Sequence, residues 1–227
     1  MRLSVLVPVF NERDTVLDVL AAVKATGIVS EIVVVDDGST DGTREMLGKL
    51  EDDGVVCVVF HEKNAGKGAA LRTAMQAATG EVLLIQDADL EYHPRQYPKL
   101  LAPIEAGEAD VVYGSRFLAG VPEGILRSSL FANKLLTFMT NVLFRNSLTD
   151  METCYKVFRR EVLDGMSLRA NRFDFEPEFT AKVLKRGIRI HEVPVEFSPR
   201  AYEEGKKIGA WDGVQAVWAL IRYRLTD

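Results

Sequence analysis

The sequence predicts an α/β protein built on a mostly parallel central sheet, with helices covering both faces. Short runs rich in valine, isoleucine and leucine alternate with segments of helical periodicity along the first half of the chain. The runs are continuously apolar rather than alternately apolar and polar, which is typical of parallel strands buried on both faces. Alternation of such strands with helices indicates the α/β class.

The first half is expected to contain five strands and three helices in alternation. The strand candidates are runs of β-branched residues, and the helix candidates carry apolar residues at helical spacing. A cap near Asp14 marks the start of the first helix, and Gly80 marks the end of the third. The predicted strands are residues 3–10, 31–37, 55–60, 81–89 and 109–115, and the predicted helices are residues 15–25, 40–53 and 66–80.

The second half is less regular. Apolar residues at helical spacing predict one long helix, and Gly187 stops a later one. Pro194 lies inside a strand candidate, which suggests an edge strand or a bulge. The predicted helices are residues 125–144, 176–187 and 211–224, and the predicted strands are residues 154–160 and 188–197. Because no linker separates the halves, we expect a single domain over residues 1–227.

Composition and charge exclude some classes of protein. Of the 227 residues, 47% are apolar and 27% are charged, as in ordinary soluble domains. The net charge of −5 argues against a general nucleic-acid binder. Cys57 and Cys154 lack metal-ligand spacing, and the apolar run around Cys57 predicts a buried free thiol, which fits a cytoplasmic setting. Neither a signal peptide nor a membrane-spanning helix is expected.

Polar residues follow three of the predicted strands, at residues 8–12, 35–43 and 86–91. The carboxyl ends of parallel strands share one rim of a sheet, which is the usual place for a nucleotide pocket. Asp87, Asp89 and Glu91 recur at every second position and would share one side of an extended chain. Their repulsion needs compensation by a metal ion, by basic side chains or by water. The other interpretation is that Asp89 and Glu91 are only turn and cap residues.

Two nucleotide-binding motifs are absent. Residues 64–74, NAGKGAALRTA, resemble a phosphate loop, but Lys67 lies between two glycines and neither Ser nor Thr follows it. No G-x-G-x-x-G follows the first strand. Gly66 and Gly68 are expected to let the backbone approach a ligand closely.

The chain carries a set of motifs in a fixed order: VPVFNE, VVVDDGSTDGT, NAGKGAALRTA, DADLEYHP, VYGSRF and EVPVEFSPR. In this it resembles family 2 glycosyltransferases of GT-A fold, close to the dolichyl-phosphate mannose and polyprenyl-phosphate glucose synthases. The resemblance implies a metal-dependent inverting transfer of a hexose from GDP-mannose or UDP-glucose to a polyprenyl or dolichyl phosphate. It also implies Mg²⁺ or Mn²⁺ as cofactor, a nucleotide-binding half at 1–115 and an acceptor-binding half at 116–227.

The resemblance further implies roles for individual residues. The metal ligands would be Asp89 and Glu91, although the mannose synthases usually carry Gln at the second position. The catalytic residues would be Asp89, Arg116 and Arg200. The donor would contact Pro8, Asn11, Glu12, Asp36, Asp37, Lys67, Asp87, Lys206 and Lys207. The acceptor would contact Arg116, Arg127 and Glu178.

The nature of the acceptor stays open at this point. A sugar hydroxyl needs a general base, whereas a phosphate is already an anion and needs cations. His61, His93 and His191 are all expected to be structural, which favours a phosphate without excluding a soluble hydroxyl acceptor. A non-catalytic subunit that binds nucleotide sugars is the alternative from another class.

The long helix predicted at residues 125–144 bears on where the protein works. Its apolar residues form a stripe that could face either the core or a membrane surface. A peripheral position on the cytosolic face of a membrane and a membrane partner subunit are therefore open expectations. The stripe consists of Leu130, Phe131, Leu135, Phe138, Met139, Val142 and Leu143.

Overall fold

The computed structural model of the chain describes residues 1–50, 54–199 and 210–226, with the side chains of residues 210–212 and 214 left out. The strands are β1 Leu3–Val9, β2 Glu31–Asp36, β3 Val56–Phe60, β4 Val82–Ile85, β5 Val111–Ser115, β6 Lys156–Arg159 and β7 Ile190–Pro194. The α-helices are α1 Val16–Ala25, α2 Thr43–Leu47, α3 Lys67–Ala77, α4 Tyr97–Glu105, α5 Arg127–Phe144, α6 Phe175–Lys185 and α7 Ala210–Leu225.

The seven described strands form one sheet in the order β3-β2-β1-β4-β6-β5-β7. All pairs are parallel except those that β6 makes with β4 and β5. The predicted mostly parallel α/β sheet is therefore confirmed. β6 comes from the second half of the chain and lies between two strands of the first half, so one sheet runs through both predicted halves.

The centre of the sheet is the core of the protein. Every residue of β4 is buried, as are all of β1 and β2 except Pro8 and Glu31, which are half-buried. Val9 pairs with Asp36 and Leu6 pairs with Ile85 in register. The carboxyl ends of β1, β2 and β4 consequently open at the same rim, and the polar residues that follow them meet there.

Several elements differ from their predicted form. α4 and the 3₁₀ turn Pro94–Gln96 before it were not predicted, because prolines at 98 and 103 argue against a helix; Pro98 is tolerated in the first turn. α2 is only five residues long and ends at Gly48. β4 stops at Ile85, so the strand does not continue through the acids as expected. Cys57 is exposed rather than buried, because β3 is an edge strand.

Pro194 lies in β7, the other edge strand, as its position in the sequence suggested. Its missing N–H is harmless there, because only one side of an edge strand is paired.

Helix α5 presents its faces in an unexpected way. Four residues of the predicted stripe are exposed to solvent: Phe131 by 70%, Leu135 by 43%, Phe138 by 64% and Val142 by 62%. The buried face consists of Asn133, Leu136, Thr137 and Thr140. The stripe is therefore divided: these four side chains face solvent, whereas Met139 and Leu143 are half-buried and pack against the core. The polar buried residues are satisfied locally; for example, Thr140 Oγ1 donates to the Leu136 carbonyl at 2.9 Å.

No helix in the described part of the chain is both long enough and apolar enough to cross a membrane.

Candidate active site

A cleft of about 590 Å³ opens at the carboxyl ends of β1, β2 and β4. Its walls come from the loops after these strands, the start of α3, the segment before α5 and the start of α6. Eight residues predicted from the sequence line it: Pro8, Glu12, Asp37, Lys67, Asp87, Asp89, Glu91 and Arg116. The fold thus brings most of the predicted donor and metal residues together.

The loops after β1 and β2 are tied to each other by hydrogen bonds. The backbone N–H of Asn11 donates to Ser39 Oγ at 2.9 Å, and Asn11 Oδ1 accepts from the Thr40 N–H at 2.8 Å. Asn11 adopts a left-handed φ of 54°, a conformation that asparagine tolerates better than most residues. The Glu12 N–H donates to Thr43 Oγ1 at 3.0 Å. Asn11 therefore joins the two loops and does not line the cleft.

The two adjacent aspartates after β2 have different surroundings. Asp36 is fully buried; it pairs with Arg44 Nη1 at 2.8 Å and accepts from the Ser39 N–H at 3.3 Å. Asp37 lines the cleft and accepts from the Ala65 N–H at 3.0 Å and the Gly66 N–H at 2.7 Å. Asp36 thus holds the turn, whereas Asp37 holds the loop that leads into α3 and faces the cleft.

His61 supports this arrangement. Its Nδ1 lies 2.7 Å from Asp37 Oδ1, and its Nε2 lies 2.9 Å from Thr73 Oγ1. The ring therefore links the end of β3 to α3, in keeping with the structural role expected for it. Burial of the Asp37 carboxylate is tolerated because donors surround it on several sides.

The glycines at the start of α3 approach protein backbone closely. Gly66 has a φ of 99°, and a Cβ there would overlap the carbonyl oxygen of Asn171. A Cβ on Gly68 would lie 2.6 Å from the carbonyl oxygen of Ala170. Both glycines therefore let the start of α3 pack against residues 170–172, and Gly66 also lines the cleft, so the expected approach of its backbone to a ligand stays a prediction.

Lys67 is the first residue of α3 and lies between two acids. Its Nζ is 2.9 Å from Asp87 Oδ1 and 3.1 Å from Glu176 Oε1. Burial opposes the charged form of Lys67, but the two carboxylates outweigh it and raise its pKa well above the usual value. Burial likewise opposes ionisation of Asp87, and Lys67 outweighs it and lowers the pKa of Asp87. Lys67 is thus one of the basic side chains that the acids after β4 were expected to need.

Asp87, Asp89 and Glu91 all line the cleft, although the chain that carries them is a turn and not a strand. Leu90 has a left-handed φ of 61°, and Asp89 Oδ1 accepts from the Glu91 N–H at 3.2 Å. Among the described residues, no group of three or more His, Cys, Asp or Glu side chains is placed to hold a metal ion. Two carboxylates suit Mg²⁺ or Mn²⁺ only where substrate phosphates supply further oxygen ligands.

Arg116 follows β5 and is fixed against a buried acid. Its Nε lies 2.6 Å from Asp150 Oδ2, and its Nη2 lies 2.7 Å from Asp150 Oδ1. Burial opposes the charge on Asp150, but the guanidinium outweighs it and lowers the pKa of Asp150. The carbon at the centre of the guanidinium lies 5.3 Å from the ring centre of Phe117 and 5.2 Å from that of Phe197. The ion pair aims a permanent cation at the cleft.

Two of the predicted acceptor residues lie outside the cleft. Glu178 is fully buried; it accepts from the N–H groups of Arg169 and Ala170 and pairs with Lys182 at 2.9 Å. Arg127 begins α5 and is exposed, next to the cleft-lining residues Ile125 and Leu126. Glu178 holds the segment before α6 in place, so its predicted contact with an acceptor finds no support in its position. Arg200, Lys206 and Lys207 lie outside the described residues.

Two acids that the sequence did not single out line the cleft instead. Glu176 lies two residues before Glu178, which places their side chains about 200° apart around the helix, so only one of them can face the cleft. Glu152 precedes β6. Burial, reinforced by the nearby charge of Glu176, raises the pKa of Glu152 to about 8. The sequence did offer one signal for Glu176, since it places two acids, Glu176 and Glu178, in the first turn of a predicted helix. The pattern did not show which of the two faces the cleft.

One wall of the cleft is apolar. It comes from the segment before α5, the start of α5 and the residues that flank β5 and β7. The side chains are Phe117, Ile125, Leu126, Leu130 and Phe197. The cleft therefore has an acidic end and an apolar side near Arg116.

Comparisons with known proteins agree with this geometry. Residues 4–166 match the profile of the family described as Glycosyl transferase family 2. The glycosyltransferase AglJ of Haloferax volcanii is 32% identical over 86% of this chain, and the dolichol-phosphate mannosyltransferase of Pyrococcus furiosus is 31% identical over 92%. The chain spans 63% and 60% of the length of these two relatives. The polyprenol monophosphomannose synthase of Mycolicibacterium smegmatis is 30% identical, with 92% of this chain and 82% of the relative covered.

The fold is shared with solved structures of lower identity. Glucosyl-3-phosphoglycerate synthase from Mycobacterium tuberculosis, crystallised with uridine diphosphate, superimposes with a TM-score of 0.79 at 22% identity, covering 100% of this chain and 81% of that one. The same enzyme crystallised with Mn²⁺, uridine diphosphate and phosphoglyceric acid gives a TM-score of 0.76, covering 98% and 78%. These likenesses identify the GT-A fold.

Proposed function

The chain belongs to glycosyltransferase family 2, and from that premise we propose that it transfers a hexose from a nucleoside diphosphate sugar to the phosphate of a polyprenyl carrier at a membrane surface. The observation that carries the proposal is the composition of one cleft. Carboxylates suited to a divalent cation, a buried lysine, an oriented arginine and an apolar wall all line it. A polar donor and a partly apolar acceptor would need these groups side by side.

The acidic end of the cleft would hold the donor. Asp89 and Glu91 would bind Mg²⁺ or Mn²⁺ together with the donor diphosphate, and the cation would neutralise the charge that grows on the departing diphosphate. Asp87, held by Lys67, would lie beside the ribose or the diphosphate, and Asp37 beside the base. The donor would thus be oriented by side chains already fixed in the protein, which lowers the entropic cost of reaching the reactive geometry.

The apolar side of the cleft would hold the acceptor. Asp150 binds Nε and Nη2 of Arg116, and Nη1 would therefore be the guanidinium nitrogen that meets an acceptor phosphate. A phosphate oxygen would attack the anomeric carbon as the bond from that carbon to the diphosphate breaks, with the electron pair leaving on the diphosphate. No general base is required, because the acceptor is already an anion. The relatives named for dolichol-phosphate and polyprenol-monophosphate transfer favour this acceptor over a soluble hydroxyl.

The exposed stripe of α5 would rest on the membrane that holds the acceptor. Phe131, Leu135, Phe138 and Val142 fall within a sector of about 60° around the helix axis. Residues 127–149 contain no acid, although the whole chain carries a net charge of −5. Arg127 and Lys134 are exposed on the same helix. An apolar stripe with basic neighbours fits a surface of anionic lipid.

The stripe is also continuous with the cleft. Ile125, Leu126 and Leu130 line the cleft, and Phe131, the first exposed side chain of the stripe, follows Leu130 directly. A polyprenyl tail whose phosphate lies at Arg116 would therefore leave the cleft along α5 and enter the bilayer.

The donor is tested by calorimetric titration with UDP-glucose and with GDP-mannose, each with Mn²⁺ and with EDTA. We expect one donor to bind with Mn²⁺ and to lose most of its affinity in EDTA. Asp89→Asn should abolish the difference in donor affinity between Mn²⁺ and EDTA and should lower turnover by at least about a hundredfold. Asp18→Asn, an exposed acid on α1, is the matched control and should behave as wild type. Unchanged binding by Asp89→Asn would contradict the assigned metal site.

The acceptor is tested with the radiolabelled form of whichever donor binds. Transfer to a polyprenyl phosphate in vesicles, with none to free hexoses, supports the proposal. Transfer to the free hexoses alone would contradict the lipid acceptor and support a soluble hydroxyl acceptor instead. Donor binding without transfer to either class would identify a binding subunit rather than an enzyme.

A further inference from the structure

Two buried carboxylate oxygens, on residues that line the cleft, have no hydrogen-bond partner among the described residues. They are Oε2 of Glu176 and Oε1 of Glu152. Glu176 is only 5% exposed, and both side chains line the cleft. A buried polar atom without a partner is unfavourable, and a buried charged group without one is more so. Such atoms are rare in folded proteins, and each needs an explanation; beside a cleft, a bound ligand would supply the missing partner.

The position of Glu176 relates this pair to the proposed donor. Its other oxygen, Oε1, binds Lys67 Nζ at 3.1 Å, and the same ammonium binds Asp87. Glu176 is therefore separated by a single ammonium group from the acid that we place beside the donor ribose or diphosphate. A hexose attached to that diphosphate is the part of the donor that would reach Glu176.

The chemistry of the pair selects a neutral hydroxyl ligand. Burial and the charge of Glu176 raise the pKa of Glu152 to about 8, so at neutral pH Glu152 mostly keeps its proton and can donate a hydrogen bond. Glu176 keeps an acceptor oxygen. A phosphate would be repelled by Glu176, and a cation is disfavoured because Lys67 already lies against it. Adjacent sugar hydroxyls, which both donate and accept, match one donor and one acceptor.

We propose that Glu176 and Glu152 form a subsite that binds hydroxyl groups of the transferred hexose. The inference rests on the proposed donor and adds the residues that distinguish a nucleotide sugar from the bare nucleotide. Glu176 accepts a hydrogen bond from one hydroxyl, and Glu152 donates to a neighbouring oxygen. Sites built to hydrogen-bond a substrate hydroxyl discriminate strongly against ligands that lack it, because the buried polar groups are then left without partners.

The test compares nucleotide with nucleotide sugar. The purified protein is titrated in Mn²⁺ with UDP, UDP-glucose, GDP and GDP-mannose, and the contribution of the sugar is the ratio of the two dissociation constants for each base. In the wild type we expect the sugar to tighten binding for one base. Glu176→Gln and Glu152→Ala should each reduce that ratio at least tenfold and leave the affinity for the bare nucleotide within about threefold.

The two positions control for each other and for folding. Glu152→Gln keeps a hydrogen-bond donor and should restore most of the ratio that Glu152→Ala loses, an outcome that a purely structural role would not give. Asp89→Asn should weaken nucleotide and nucleotide sugar equally. Thermal unfolding followed by circular dichroism identifies a variant that does not fold. If a variant at one of the two glutamates does not fold, the variants at the other glutamate decide whether the subsite exists.

Each remaining outcome counts against the subsite. Equal affinity of the wild type for nucleotide and nucleotide sugar, or equal loss of both in the glutamate variants, would overturn the subsite and leave the nucleotide site in place. No binding of any of the four compounds by the wild type would overturn the proposed donor and the subsite together.

Discussion

Arg116 and Asp150 form a two-point ion pair at the wall of the cleft, with Nε–Oδ2 at 2.6 Å and Nη2–Oδ1 at 2.7 Å. The Asp150 side chain is fully buried, and that of Arg116 is 15% exposed. Asn133 of α5 donates to Asp150 Oδ1 at 3.0 Å. The pair therefore joins the end of β5 to α5 and fixes the cation that we assign to the acceptor.

Asp150→Ala should destabilise the protein strongly, because it leaves the Arg116 guanidinium buried without its counter-charge. The expected loss of unfolding free energy is about 3–5 kcal/mol, measured by urea unfolding at pH 7. The matched control is Asp110→Ala. Asp110 pairs with Arg159 at 3.4 Å but is 63% exposed, and the loss should stay below about 1 kcal/mol. Equal losses in the two variants would contradict the structural importance of the buried pair.

Gly66→Ala should be more damaging than an ordinary glycine substitution. Gly66 has a φ of 99° and no room for a Cβ beside the Asn171 carbonyl, so the variant combines backbone strain with an overlap. Gly27 has a φ of 68° but nothing within 4 Å of an added Cβ. Gly27→Ala therefore gives the cost of a left-handed φ without an overlap, about 1–2 kcal/mol, whereas Gly66, with a ψ of 160°, lies in a region that is essentially restricted to glycine. We expect Gly66→Ala to lose at least about 1 kcal/mol more in urea unfolding, and similar losses would refute the close approach.

Glu152 should make the protein less stable as the pH rises. Its pKa in the folded protein is raised to about 8 from 4.5, so between these values the folded state holds a proton that the unfolded state has lost. The stability that this proton supplies is complete below about pH 4.5 and declines up to about pH 8. The slope is at most about 1.4 kcal/mol per pH unit.

The measurement is the difference in unfolding free energy between wild type and Glu152→Gln from pH 5 to 9. The variant should gain relative to the wild type as the pH rises. Taking the difference removes contributions common to both proteins from the neighbouring Glu176, Lys156, Arg116 and Asp150. A difference that does not vary with pH would show that Glu152 titrates normally.

The stripe on α5 should govern binding to vesicles. Phe131→Ser/Phe138→Ser is expected to lower co-sedimentation with vesicles containing phosphatidylglycerol at least tenfold, since each buried phenylalanine contributes about 1.5–3 kcal/mol. Leu17→Ser/Ile28→Ser removes two apolar side chains exposed elsewhere, by 39% and 42%, and should have little effect. Vesicles of phosphatidylcholine alone should bind less, because Arg127 and Lys134 then lack anionic partners.

A different occupant of the stripe would give a different result. If two copies of the chain cover it, light scattering should show a dimer that the double variant converts to a monomer, with no change in vesicle binding. That outcome would contradict the membrane assignment.

The strands of the first half and the helices α1 to α3 could be predicted, because continuous apolar runs mark the strands and helical periodicity marks the helices. α4 could not, since its prolines at 98 and 103 contradict helical propensity and only packing compensates for them. The faces of α5 could not be assigned, because periodicity shows that a helix has two faces but not which one meets the core. The predicted polar strand ends did meet in one cleft, since register follows from parallel pairing. Glu176 and Glu178 could not be distinguished, because the choice depends on the rotation of α6.

The place of β6 in the sheet has a consequence for how the chain folds during synthesis. β6 lies between β4 and β5, yet it is made more than forty residues after β5 ends at Ser115. Until the ribosome has passed Arg159, β4 and β5 each present a strand edge with no partner, and such edges are prone to pair with other chains. A nascent chain or fragment ending near residue 115 is thus expected to aggregate or to recruit chaperones. The free edge of β4, one of the strands on which the cleft is built, is paired only after β6 has been synthesised.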